Sequence, residues 1–165
     1  VYEMDLSAAD KARYHIENFM RRYPLTSFAS EAADLRDRCI DLQVSHHAYV
    51  VQFYVGRSKW LGAVFRLHQL MRLFPVRGHT LGNYQTLATA YETLGWRKRG
   101  LAIHRAIAQR WPSAASAMTS REKVANLRAA IARLKAEKNP AAEMPLEVPP
   151  TAAYHPEEMA AEAAG

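Results

Sequence analysis

Three aromatic-proline pairs, Tyr23-Pro24, Phe74-Pro75 and Trp111-Pro112, punctuate this chain, and each closes a run in which apolar residues return every three or four positions. That spacing places one side chain per turn on a common helix face, and proline then ends the helix because it lacks an N–H and clashes with the preceding turn. The first run is Ala8, Ala12, Ile16, Phe19 and Tyr23. A second begins at Phe28 and continues through Ala32, Leu35, Cys39, Leu42, His46, Tyr49 and Phe53, with Ser27 as the expected N-cap and Gly56 as the stop. It predicts one long helix or two end to end. Trp60, Leu61, Val64, Leu67, Met71 and Phe74 mark the next helix, and Leu81, Tyr84, Leu87, Ala88, Tyr91 and Leu94 another. Gly95 is expected to close the latter in the left-handed conformation that glycine adopts without a Cβ clash. Leu101 to Ile107 carry a helix as far as Trp111, and after a small-residue loop at 113–118 Thr119 and Glu122 form a capping box for a last helix to Lys138. No stretch alternates with period two, so the expected class is all-α.

Alignment on the proline pairs reveals a repeat. Twelve residues before each proline stands a small residue, Ala12, Ala63 or Gly100, where two helices can cross closely. The tetratricopeptide pattern, about 34 residues long, falls on Tyr84, Leu87, Ala88, Tyr91, Gly100 and Pro112. The frame before it takes His47, Val50, Val51, Tyr54 and Ala63. From Pro24 to Pro75 the interval is 51, which leaves room for an additional helix at 27–43. The expected organisation is a helical solenoid over 1–138: a partial repeat at 1–24, the extra helix, repeats at 44–75 and 80–112, and a terminal helix at 119–138. These aromatic and small residues read as inter-helix packing, which shapes surfaces for extended partners.

Charge divides the same chain differently. Residues 1–41 carry a net −2, whereas residues 42–121 hold 11 basic side chains against one acid, Glu92. Residues 139–165 contain no Lys or Arg, five glutamates and five prolines, which reads as an extended acidic tail. A basic middle implies an acidic counterpart: a protein, a nucleic acid, anionic lipid or the tail itself. Nucleic acid is the weaker reading, because single-strand binders interleave exposed aromatics with their cations, and here the aromatics serve packing.

With one cysteine, Cys39, the chain has neither an internal disulfide nor a multi-cysteine zinc site. His46 and His47 are adjacent and diverge by about 100° on a helix, and His68 and His104 have no carboxylate or Cys at ligand spacing. No metal, cofactor, Ser-His-Asp set or paired carboxylates are evident, and an enzyme is not expected. The candidate docking residues are two basic groups. Arg57, Lys59, Arg66, Arg72 and Arg77 surround one helix, and Arg97, Lys98 and Arg99 open another, at the end where the helix dipole disfavours cations.

The segment Phe19-Met20-Arg21-Arg22-Tyr23-Pro24-Leu25-Thr26-Ser27-Phe28-Ala29 adds to the repeat pattern. With His46 to Tyr54, and Trp60-Leu61-Gly62-Ala63-Val64-Phe65-Arg66 up to Phe74-Pro75, it resembles the BamD family, periplasmic lipoproteins of the outer-membrane β-barrel assembly machinery. The resemblance spans about residues 8–112. It implies a non-enzymatic scaffold at the periplasmic face of the bacterial outer membrane, held there by a lipid anchor outside this sequence. Implied partners are a periplasmic domain of a BamA-like barrel insertase, accessory lipoproteins and unfolded outer-membrane proteins. Arg66 is the first choice of docking residue, since the resemblance and the charge reading meet there. The alternative is a tetratricopeptide adaptor for acidic peptides.

Overall fold

A computed structural model describes residues 6–136; the acidic tail read at 139–165 lies outside the described residues. Among them are six α-helices and no strand: α1 (Ser7–Arg22), α2 (Ala29–Gly56), α3 (Trp60–Leu73), α4 (Leu81–Thr93), α5 (Arg97–Arg110) and α6 (Ala115–Ala136). The fold is all-α and tetratricopeptide-like. The described residues divide into two compact units, one up to Val50 and the other from Val51 onward.

In the first unit α1 and the front of α2 meet through polar groups as much as apolar ones. Gln43, a buried residue of α2, donates through Nε2 to Asp10 Oδ1 and accepts from Arg13 Nη1 at 3.1 Å. Arg13 Nε also reaches Glu17 Oε1 at 2.7 Å. The apolar stripe expected along α2 is largely uncovered: Phe28, Leu35, Leu42, Tyr49 and Phe53 are exposed, Cys39 and His46 are half-buried, and Ala32 is buried. Two helices bury only the side on which they meet. Ser27 does not cap α2; Thr26 Oγ1 accepts the Phe28 N–H at 3.4 Å instead. No break separates the extra helix expected at 27–43 from the helix that follows it, since α2 runs on through 43 and 44.

The second unit holds a continuous core. Val51, Val64, Leu67, Met71, Tyr84, Leu87, Tyr91, Ile103 and Ile107 are all but fully buried, and Val55, Trp60, Leu94, Trp96 and Trp111 pack around them. Burying one such side chain contributes about 1.5–3 kcal/mol, so this shared cluster dominates the stability of the unit. Ala63 and Gly100 are buried, although a Cβ on Gly100 would meet only Leu127 Cδ1 at an ordinary 3.6 Å, and Tyr54 is half-buried. Pro112 is exposed, just past the end of the helix. The terminal helix begins at Ala115, four residues before the expected Thr119 cap, because the Ala117 N–H already bonds the Ala114 carbonyl at 2.8 Å.

Within this unit the backbone repeats at an interval of 37 residues. The Lys59 N–H bonds the Tyr54 carbonyl at 2.9 Å, and the Trp96 N–H bonds the Tyr91 carbonyl at 2.8 Å. Before each lies a left-handed residue, Ser58 (φ 55°) and Gly95 (φ 72°). Each hairpin's second helix then ends alike, Phe74 at φ −130°, ψ 73° and Trp111 at φ −129°, ψ 63°. Tyr23 closes α1 at φ −131°, ψ 62°.

Candidate partner-docking surface

α3 turns Val64, Leu67 and Met71 into the core, which leaves the opposite side of the helix to solvent. That outer side carries Leu61, Phe65 and Leu73, each two-fifths exposed or more, beside Arg66 and Arg72. Arg66 Nη1 donates to Gln69 Oε1 at 3.1 Å, an i, i+3 contact that holds the guanidinium along the helix. Arg57 lies 3.6 Å from the centre of the exposed Phe53 ring and donates to the Phe53 carbonyl at 3.4 Å. Such stacking steadies a side chain that would otherwise lose rotamer entropy on binding. Lys59 and Arg72 are exposed and Arg77 is half-buried. Arginine set among exposed aromatic and aliphatic side chains is the composition of protein-binding hot spots.

The second basic group behaves differently. Lys98 is exposed and Arg97 half-buried, but Arg99 is only 3% exposed. Its guanidinium stands 5.3 Å from the Trp96 ring centre and 5.9 Å from that of Tyr91, and none of its three nitrogens has a hydrogen-bond partner. A buried ion without a partner costs several kcal/mol, of which two ring contacts return about 1–2. Of the three candidate docking cations Arg99 alone is buried, because helical rotation carries position 99 inward against the two rings. The rings of Tyr91 and Trp96 also line a groove of about 420 Å³, together with Glu92, Arg97, Lys123 and Leu127; Arg99 is not part of its lining.

Along the same groove lies a polar set that spacing within single helices cannot reveal. Glu92 Oε1 is 2.8 Å from His104 Nε2, Glu92 Oε2 accepts from Lys123 Nζ at 2.9 Å, and His104 Nδ1 is 3.2 Å from Ser120 Oγ. Burial pushes the Glu92 carboxyl upward, but the bonds from Lys123 and His104 and their charges outweigh it, so its pKa is lowered. Serine, histidine and carboxylate stand in the order that nucleophilic catalysis uses. Ser120, however, is 3% exposed in the middle of a helix and does not line the groove. What the arrangement does is fasten α6 to α4 and α5. The repeat interval carries the missed signal: Val55 and Leu67, an apolar pair, become Glu92 and His104 one repeat later.

Two further buried histidines are core polar contacts. His68 Nε2 is 2.8 Å from Tyr91 Oη, and His79 Nδ1 is 3.0 Å from Tyr84 Oη. Burial, reinforced by the charge of Arg110, lowers the His79 pKa against an opposing backbone bond to Met71. Among the described residues no three His, Cys, Asp or Glu side chains converge as a metal site would require. No helix among them is long and apolar enough to cross a membrane. Tyr84 and Tyr91 are fully buried, which removes them as platforms for nucleic-acid bases.

No curated protein and no solved structure matches the chain. A family model does: that of YfiO, described as outer membrane lipoprotein, matches residues 1–106. With well over half of its length covered, from α1 to within a turn of the end of α5, the chain belongs to the YfiO family of outer membrane lipoproteins.

Proposed function

We propose that this chain is a non-enzymatic scaffold of outer-membrane β-barrel assembly, and that the outer side of α3 docks a periplasmic domain of a BamA-like insertase. Accessory lipoproteins and unfolded outer-membrane proteins are the further partners proposed, at the periplasmic face of the outer membrane. Family membership supports the assembly role. The observation that carries the docking surface is Arg66, set by Gln69 in a strip of exposed Leu61, Phe65 and Leu73 on a helix whose other side is core. A planar guanidinium in that setting pairs bidentately with a partner carboxylate while the flanking apolar groups exclude water. Arg57, Lys59, Arg72 and Arg77 surround it and draw an acidic surface in. Replacement of Arg66 by Glu is expected to weaken capture of the insertase's periplasmic domain at least a hundredfold while the circular dichroism stays native. Unchanged affinity in a folded variant overturns the assignment.

A further inference from the structure

The apolar surface that the first unit leaves open forms one line along α2. From Phe28 it steps by four and three residues in turn through Ala32, Leu35, Cys39, Leu42 and His46 to Tyr49. A strict period of 3.5 is that of the seam along which two helices pack side by side. The large members of the seam are open: Phe28 is 61% exposed, Leu35 43%, Leu42 39% and Tyr49 45%. Among the described residues up to Val50 only Ala9, Ala32 and Gln43 are buried. A two-helix unit with so small an interior needs a further layer over its open side. Next to Ala32, the smallest residue of the seam, lies a groove of about 300 Å³ between α1 and α2, lined also by Ile16, Phe19, Phe28 and Leu35, with His15 and Glu31 as its polar members.

We propose that this face binds a second copy of the chain, as an antiparallel two-fold pair of α2 helices in which Tyr49 of each copy enters the groove of the other. The order of side-chain sizes along the seam carries the choice of occupant, because the seam complements itself when reversed. With the two copies centred between Ile40 and Asp41, Ala32 faces the second copy's Tyr49, Cys39 faces its Leu42 and His46 faces its Leu35. The smallest residue thus meets the largest, and facing positions that alternate small and large fill an interface without voids. A parallel copy instead sets Ala32 on Ala32, which leaves a gap, and Tyr49 on Tyr49, which crowds. The two-fold axis forms both groove contacts at once. In the groove the ring of Tyr49 covers Ile16, Phe19 and Ala32, and His15 and Glu31 supply polar partners for its hydroxyl. The contact uses none of the residues of the Arg66 surface, and either assignment can fail without the other.

The test is sedimentation equilibrium of the full chain, which is expected to show a dimer that dissociates on dilution. Leu42→Glu places a carboxylate near the middle of the seam and should raise the dissociation constant at least a hundredfold; Tyr49→Ala, which empties both grooves, should raise it at least tenfold. Both side chains are exposed in the single chain, so the circular dichroism of the dissociated variants should stay native. Arg66→Glu should leave the association unchanged. Orientation is read by electron spin resonance from one nitroxide per chain, attached at Ser30→Cys in a Cys39→Ser background. The antiparallel pair sets the two labels 21 residues of helical rise apart, about 31 Å, whereas a parallel pair brings them within about 20 Å. A chain that stays monomeric overturns the proposal, as does a dimer that Leu42→Glu leaves intact or a short distance between the labels. A monomer that dimerises only once residues 139–165 are deleted assigns the face to the chain's own acidic segment and overturns it too.

Discussion

Two hairpins of the second unit share a backbone and differ in what they hang on it. The turns that lead into α3 and α5 and the ends of both helices match in register at an interval of 37, down to the left-handed turn residue and the aromatic that closes the helix. At four registered positions the chemistry diverges. Val55 packs against the apolar cluster that holds Leu67, where Glu92 and His104 form a hydrogen bond. Gly62 lies against the Tyr54 ring where Arg99 stands over Tyr91. Ser58 strains into the conformation that Gly95 adopts freely. Among the described residues the earlier hairpin is followed by another of its kind and is sealed by apolar contact, whereas the later one is followed by α6, which polar groups help to hold.

The largest effect tests the joint between the hairpins. A Cβ on Gly78 would stand 2.8 Å from the Met71 Cα and the Phe74 carbonyl oxygen and 2.9 Å from the Leu70 carbonyl oxygen, all backbone atoms that cannot swing aside. Gly78→Ala is expected to cost about 3 kcal/mol or more in urea unfolding. Its register partner Ala115 already bears a Cβ, so Ala115→Gly should cost about 1 kcal/mol or less.

Next comes the polar fastening of α6. Glu92→Val copies the earlier hairpin's residue but strands His104 and Lys123, so a loss of about 1–3 kcal/mol is expected. Hydrogen exchange should locate that loss in the amides of α6 rather than α3. Adding His104→Leu completes the apolar pair and should recover part of the loss; a purely additive double variant breaks the comparison.

Gly62→Ala is expected to cost about 1–2 kcal/mol. The added Cβ falls 2.5 Å from Tyr54 Cδ1, but a half-buried ring can give way as backbone cannot. Exchange of the turn residues should have the smallest effect and opposite signs: Ser58→Gly gains and Gly95→Ser loses about 1 kcal/mol each in thermal unfolding.

Acid adds a pH axis to the same contrast. His79 has a lowered pKa in the fold, so it binds fewer protons there than in the unfolded chain; stability is full above about pH 6.5 and falls as pH drops toward the folded value. Glu92 also has a lowered pKa, so its contribution is present above the ordinary carboxylate pKa and lost as pH falls through the folded value. A chevron or urea series from pH 8 to pH 3 should therefore decline in two stages, the second absent in Glu92→Gln.

Helix positions were legible because period and punctuation act locally: apolar spacing, Gly95 and the aromatic-proline pairs mark four of the six helices to within a residue or two. Burial in the first unit was less so, since a stripe such as Phe28, Leu35, Leu42 and Tyr49 states only that a face is apolar and not that anything covers it. The inward turn of Arg99 was hidden as well. Charge predicts exposure on average, and only the rings of Tyr91 and Trp96, brought together by the fold, make an interior place for a cation. The Glu92 and His104 contact joins residues 12 apart on different helices, where no single-helix spacing rule applies.

The closing angles at Tyr23, Phe74 and Trp111 differ by no more than 2° in φ and 11° in ψ. A joint this uniform is interchangeable. A gene encoding such a chain can gain or lose whole hairpins by recombination between these codons, and each splice meets a backbone already pointing the right way. Length then changes in steps of a repeat.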